Sequence, residues 1–117
     1  MEEQVLNERI ALMEDYILKK CLWQFHSRAW DRERQNENIL GMTSKILCGE
    51  TVVRETAEDR CYYADAVCLA EAYQQRFEWL NDMNVAEIKE LIAALKERID
   101  YVCITGSLNE ELTVKQY

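Results

Sequence analysis

Apolar residues return every three or four positions along four stretches of this chain, the spacing of one buried helix face. Leu6, Ile10, Met13, Ile17 and Cys21 mark the first, which predicts a helix over about residues 3–21. A second helix is expected to begin near Ser27, whose hydroxyl suits an N-cap, and to run to about Cys48. Gly49 can then take the left-handed conformation that ends many helices. Thr56 opens a third helix, with Glu58 and Asp59 where the positive end of the helix dipole favours them. Its face continues through Tyr62, Ala66, Leu69, Ala70, Tyr73 and Phe77. Residues 79–84 read as a turn. Asn84 and Glu87 then make a variant of the capping box. The fourth stripe, Ile88, Leu91, Ile92, Leu95, Ile99 and Val102, ends at Gly106. Between the second and third helices, Thr51, Val52 and Val53 suit a short extended link.

The chain has no proline and three glycines, a balance that helices tolerate and strand-and-turn folds rarely show. The expected fold is all-α: a small four-helix bundle-like single domain spanning residues 1–117, with a short C-terminal tail. The tail, residues 107–117, carries apolar anchors at Leu108, Leu112, Val114 and Tyr117. It is too short to form a core, so it either folds back over the bundle or reaches onto a partner.

The second helix breaks the pattern. Its apolar positions, Ile39, Leu40, Ile46 and Leu47, crowd into its second half, and Asp31 to Asn38 contains no apolar residue. A helix that only closed its own core would not leave about two turns without an inward-facing side chain. Just before this run, Cys21 to Asn36 concentrates two Trp, a Phe, the only His and three Arg. Aromatics and Arg are enriched where partners bury each other. Trp23, Phe25, His26, Arg28, Trp30, Arg32 and Arg34 are therefore the expected partner-binding residues. The competing arrangement has Trp23 and Phe25 filling the end of the bundle, with only the Arg side chains facing outward.

A formal net charge of −8 argues against nucleic acid or an anionic membrane as a partner, and Asp31 and Glu33 interrupt the local basic run. No apolar window is long enough to span a bilayer, and the acidic start with Glu2 and Glu3 is unlike a secretory signal. The five cysteines, Cys21, Cys48, Cys61, Cys68 and Cys103, are an odd set, which favours reduced thiols in the cytoplasm. Cys61 and Cys68 stand two helical turns apart, about 10 Å, too far to share one metal. As small apolar residues they are expected to be buried. His26 has an adjacent Ser27, but neighbours on a helix do not face each other, and no third group orients them. Glu58–Asp59 and Glu110–Glu111 read as solvated helix-end charges, and no phosphate-cradling glycine loop is present. No catalytic, cofactor or metal residues are expected in this chain.

Five segments carry a specific resemblance: Cys21-Leu-Trp-Gln-Phe-His-Ser-Arg28, Trp30-Asp-Arg-Glu-Arg-Gln-Asn36, Asp59-Arg-Cys-Tyr62, Asp65-Ala-Val-Cys-Leu-Ala70 and Ile104-Thr-Gly-Ser-Leu-Asn-Glu-Glu-Leu112. Together they resemble the delta subunits of the alternative, molybdenum-independent nitrogenases from about residue 12 onward. His26 and the Asn109–Leu112 run favour the iron-only form over the vanadium form. The departures lie in the first ten residues, in residues 50–56 and in the turn before Asn84.

The resemblance implies a cytoplasmic, non-catalytic subunit of a dinitrogenase that reduces dinitrogen to ammonia. It would dock on the alpha subunit in a hetero-oligomer that also holds the beta subunit, with the nitrogenase reductase joining transiently. The iron-only cofactor and the iron–sulfur cluster would belong to the alpha and beta chains. The role implied is assembly or cofactor competence. A reading of another class is a free-standing helical metal or cofactor carrier, or assembly adaptor, that uses its cysteines.

Overall fold

The computed structural model describes residues 2–20 and 29–105, with the backbone alone at positions 18, 20, 29–36 and 100–105. Four α-helices make up most of it: α1 Glu3–Lys20, α2 Ala29–Leu47, α3 Ala57–Arg76 and α4 Val85–Thr105. There is no strand among the described residues. The all-α expectation holds, and the helix ends that do not border undescribed residues lie within two residues of their sequence-based positions.

Local chemistry sets these ends. At the start of α3 the Asp59 N–H donates to Thr56 Oγ1 at 3.0 Å, and the Thr56 N–H donates to Asp59 Oδ2 at 3.2 Å. The same reciprocal pair opens α4, between Asn84 and Glu87, at 2.8 and 3.1 Å. Each box satisfies two backbone donors that a helix start would otherwise orphan. At the end of α2, Gly49 adopts φ 75°. Its N–H donates to the Ile46 carbonyl, and the Glu50 N–H reaches the Lys45 carbonyl at 2.8 Å. This is a Schellman motif, and the glycine is there because a side chain would be strained at that φ. The Ser27 cap lies outside the described residues. Residues 79–84 are more ordered than a plain turn: Glu78–Asp82 is a 3₁₀ helix. It seats Leu80 in the core.

The core forms where the four stripes meet. Met13 and Ile17 come from α1, Ile39 and Leu40 from α2, Ala66, Leu69 and Tyr73 from α3, and five residues from Ile88 to Ile99 from α4. Thr43 is also fully buried; its hydroxyl donates to the Ile39 carbonyl at 2.7 Å, so burial costs it no unsatisfied group. Helix α2 packs on both α3 and α4, while α1 lies against α4. Tyr73 ties α1 to α3: its hydroxyl donates to the Met13 carbonyl at 2.9 Å and its ring meets Tyr16 edge-on.

The link between α2 and α3 is extended, as expected, but it does not make a simple hairpin. Leu47 at the end of α2 shares a hollow with Gln74 near the end of α3 and Ile88 at the start of α4. The link's Val52 and Val53 meanwhile lie beside Glu37 to Lys45 of α2. The chain thus doubles back along α2 before α3 begins. Helices α2 and α4 run antiparallel, since Cys48 Sγ is 3.9 Å from the Val85 carbonyl and Lys89 Nζ is 3.0 Å from Glu50 Oε2. At the ~1.5 Å rise of both helices, this register sets the last turn of α4 level with the first turn of α2.

Candidate docking site

Trp23, Phe25, His26 and Arg28 lie outside the described residues. Trp30, Arg32 and Arg34 fall on the first two turns of α2, whose backbone is helical. Thus the run without apolar residues is a helix, as the sequence implied. Its register divides the three positions. Positions 32 and 36 precede Ile39 and Thr43 by seven residues, two turns, and so continue the buried face of α2. Positions 30 and 34 are one turn apart and lie about 200° round from position 32. The three do not form one row, and only positions 30 and 34 occupy the face away from the core.

A second feature is a cleft of about 390 Å³ between α1 and α4, lined by Asn7, Ile10, Ala11, Glu14, Ala94, Glu97 and Arg98. Glu14 is only 7% exposed, and Arg98 Nε donates to its Oε2 at 2.9 Å. Burial raises the Glu14 pKa above its ordinary 4.5; the Arg98 charge and hydrogen bond pull it down without cancelling that effect. The cleft thus holds the Glu14 carboxylate with its counter-ion, and Glu97 adds a second carboxylate to its lining.

The cysteines correct an expectation. Cys61 and Cys68 are exposed and Cys48 is half-buried, and none of the three is in a disulfide. The buried side of α3 is Ala66, Leu69, Ala70 and Tyr73, and Cys61 and Cys68 fall outside that arc. Burial, reinforced by the Glu50 carboxylate, pushes the Cys48 thiol up, so it is no thiolate at neutral pH. Among the described residues no three His, Cys, Asp or Glu side chains converge on a metal-sized position. The Glu58–Asp59 pair acts at the helix start: Asp59 completes the cap, and Glu58 accepts from the Tyr62 hydroxyl. Glu110 and Glu111 lie outside the described residues.

Comparison with known proteins decides the family. Residues 7–117 match the model of the vanadium/alternative nitrogenase delta subunit. The chain belongs to this delta-subunit family. It is 63% identical over 103 residues to the nitrogenase iron-iron protein delta chain of Clostridium pasteurianum, covering 88% of this chain and 89% of that one. Against the protein of the same name from Rhodospirillum rubrum it is 55% identical over 98% of this chain and 99% of the relative. The Rhodobacter capsulatus protein of that name is likewise 55% identical, over 96% and 97%. No described helix of this delta-subunit family member is long and apolar enough to cross a membrane.

Sequence reasoning passed over the Glu14–Arg98 pair. The signal was a carboxylate between Met13 and Ile17 on the edge of the first stripe, four residues after Ile10. Its consequence is a pH effect. The native state binds the Glu14 proton more tightly than the unfolded chain does. The stability from this group is therefore fully present below about pH 4.5 and is lost as pH rises through the raised native pKa. Glu14→Gln keeps an oxygen for Arg98 without a buried charge. It is expected to raise the melting temperature at pH 7 by a few degrees, the gain vanishing on acidification to about 4.5. Parallel melting curves across that pH range would disprove the account.

Proposed function

We propose that this chain is the accessory delta subunit of an iron-only dinitrogenase, docking on the alpha subunit and supporting assembly or cofactor competence without an active site of its own. The observation that carries the reading is end-to-end similarity to proteins named nitrogenase iron-iron protein delta chain. A protein that matches such relatives over nearly their whole length shares their architecture, not just one motif. The iron-only cofactor and the iron–sulfur cluster are then held by the alpha and beta subunits, the beta subunit shares the same hetero-oligomer, and the reductase meets the complex transiently. The cytoplasm is the compartment consistent with reduced thiols.

Within the chain, the reading rests on the aromatic and Arg-rich segment through Trp23, Phe25, His26, Arg28, Trp30, Arg32 and Arg34. Trp supplies large contact area and Arg a rigid fork of donors for carboxylates or carbonyls. The test is gentle affinity purification of this chain from cells fixing dinitrogen without molybdenum or vanadium, with mass spectrometry and metal analysis. Alpha and beta dinitrogenase chains in stoichiometric amounts, with iron, are the expected result. A chain that emerges alone and holds metal would replace the subunit reading with the carrier that uses its cysteines.

A further inference from the structure

The seam between α1 and the end of α3 carries a further assignment. Along one side of α1, Arg9, Leu12 and Tyr16 follow at steps of three and four and form one row. The Arg9 guanidinium lies 4.6 Å over the Trp79 ring. Arg76, the last residue of α3, lies 5.0 Å over the Tyr16 ring. Both rings are half-buried, and Leu12 between them is 50% exposed. Lys19, Lys89 and Arg98 each hold a carboxylate of this chain. Arg9 and Arg76 hold none among the described residues, and no described acceptor takes their N–H groups. A guanidinium laid over a ring uses only its face; the donors along its edge remain, in a plane the ring has already fixed. The carboxylates next to this row in sequence are engaged: Asp15 pairs with Lys19 at 3.2 Å, and Glu8 accepts from Gln4 at 3.4 Å.

We propose that this seam docks an acidic helix of another protein, with one carboxylate on Arg9, one on Arg76 and an apolar side chain on Leu12. The partner's chemistry follows from charge complementarity. Two guanidiniums without a carboxylate, in a chain of net charge −8, are matched by carboxylates, each of which a planar fork can grip by both oxygens. The partner's form follows from spacing. Arg9 and Tyr16, the residue beneath Arg76, are seven positions apart, about 10.5 Å along α1. A helix lying along the seam presents carboxylates at i and i+7 with that separation and on one face. Its residues i+3 and i+4 fall midway, level with Leu12. An extended strand covers about 10 Å in three residues, which puts its two carboxylates on opposite faces. Trp, Tyr and Arg are also the residue types that dominate binding at interfaces. The seam uses only α1 and the end of α3, so the assignment does not rest on the nitrogenase reading or on the segment before α2.

Titrating the purified full-length chain with two helix-stapled peptides tests this, by calorimetry and by the NMR signals of the Trp79 indole and the Leu12 methyls. One peptide carries two glutamates two turns apart with a leucine midway. The other has the same composition with the glutamates on opposite faces. Saturable one-to-one binding of the first is expected, about tenfold or more tighter than the second, with both NMR probes shifting. Arg9→Gln with Arg76→Gln should weaken it by about tenfold or more while circular dichroism stays unchanged. Leu12→Glu, at a half-exposed position that folding does not depend on, should do the same. Equal affinity for the two peptides would overturn the proposal, as would affinity indifferent to the Arg pair and to Leu12→Glu. Tighter binding of a lysine version of the first peptide would overturn it in favour of bulk attraction to an acidic chain. Self-association that shifts the same probes in the absence of peptide would overturn it in favour of a second copy as occupant. Because the experiment needs only this chain and the peptides, its failure leaves the nitrogenase reading untouched.

Discussion

Tyr73→Ala is expected to be the most damaging single change, costing about 3–5 kcal/mol, the range for truncating a buried aromatic. Tyr73 is fully buried where α1, α3 and the turn into α4 meet. Its ring stands 5.8 Å from Tyr16 and 5.7 Å from Phe77 by centroids, and Phe77 in turn stacks on Trp79 at 4.9 Å. Arg76 caps the Tyr16 ring from one side and Arg9 covers the Trp79 ring from the other. Removing the Tyr73 ring leaves a cavity in the middle of this stack, and its neighbours, held at both ends, can collapse into it only in part. Tyr73→Phe separates the ring from the hydroxyl. It forfeits one hydrogen bond to Met13, worth about 0.5–1.5 kcal/mol. Urea denaturation of both variants checks the ordering. If Phe costs as much as Ala, the hydrogen bond between α1 and α3 is what matters, and the ring stack is incidental.

The helices were readable because periodicity and capping residues agreed. In α4 the stripe from Ile88 to Ile99 and the Asn84–Glu87 box point to the same element, and the helix starts where they say. Gly49 was readable for a similar reason, since few residues tolerate its φ. What the sequence hid was direction. Nothing local distinguishes a link that crosses to an antiparallel neighbour from one that doubles back along α2, the route on which Val52 is buried and Val53 exposed. The cysteines misled because a residue type's average burial says nothing about its place on a particular helix. Cys61 and Cys68 keep a seven-residue spacing, yet on the wrong side of the arc set by Ala66, Leu69 and Tyr73. Glu14 was hidden by the opposite bias: a carboxylate beside apolar neighbours reads as exposed unless its counter-ion, 84 positions away, is known.

The aromatic and Arg-rich segment was legible as composition and only partly as geometry. Sequence grouped Trp30, Arg32 and Arg34 as one set, but α2 assigns them to different faces. Position 32 continues the row that carries Ile39 and Thr43. Positions 30 and 34 are on the far side, about one turn apart. This distinction has an experimental signature.

On the subunit reading, Trp30→Ala with Arg34→Glu is expected to weaken binding to the alpha chain by at least ~30-fold, the effect of losing about 2 kcal/mol at an interface hot spot. Neither position lies on the buried face of α2, so the melting temperature of the isolated chain should move little. Arg32→Glu should do the reverse, lowering the melting temperature while reducing recovery of alpha only in proportion to the folded fraction. Co-purification yields set against melting curves separate the two outcomes. Suppose instead that Arg32→Glu abolishes assembly in a fully folded chain, while the Trp30 and Arg34 double variant assembles normally. The partner would then meet the row that continues Ile39 and Thr43 rather than the far side of α2. The double variant and the single one therefore decide which side of α2 the rest of the complex sees.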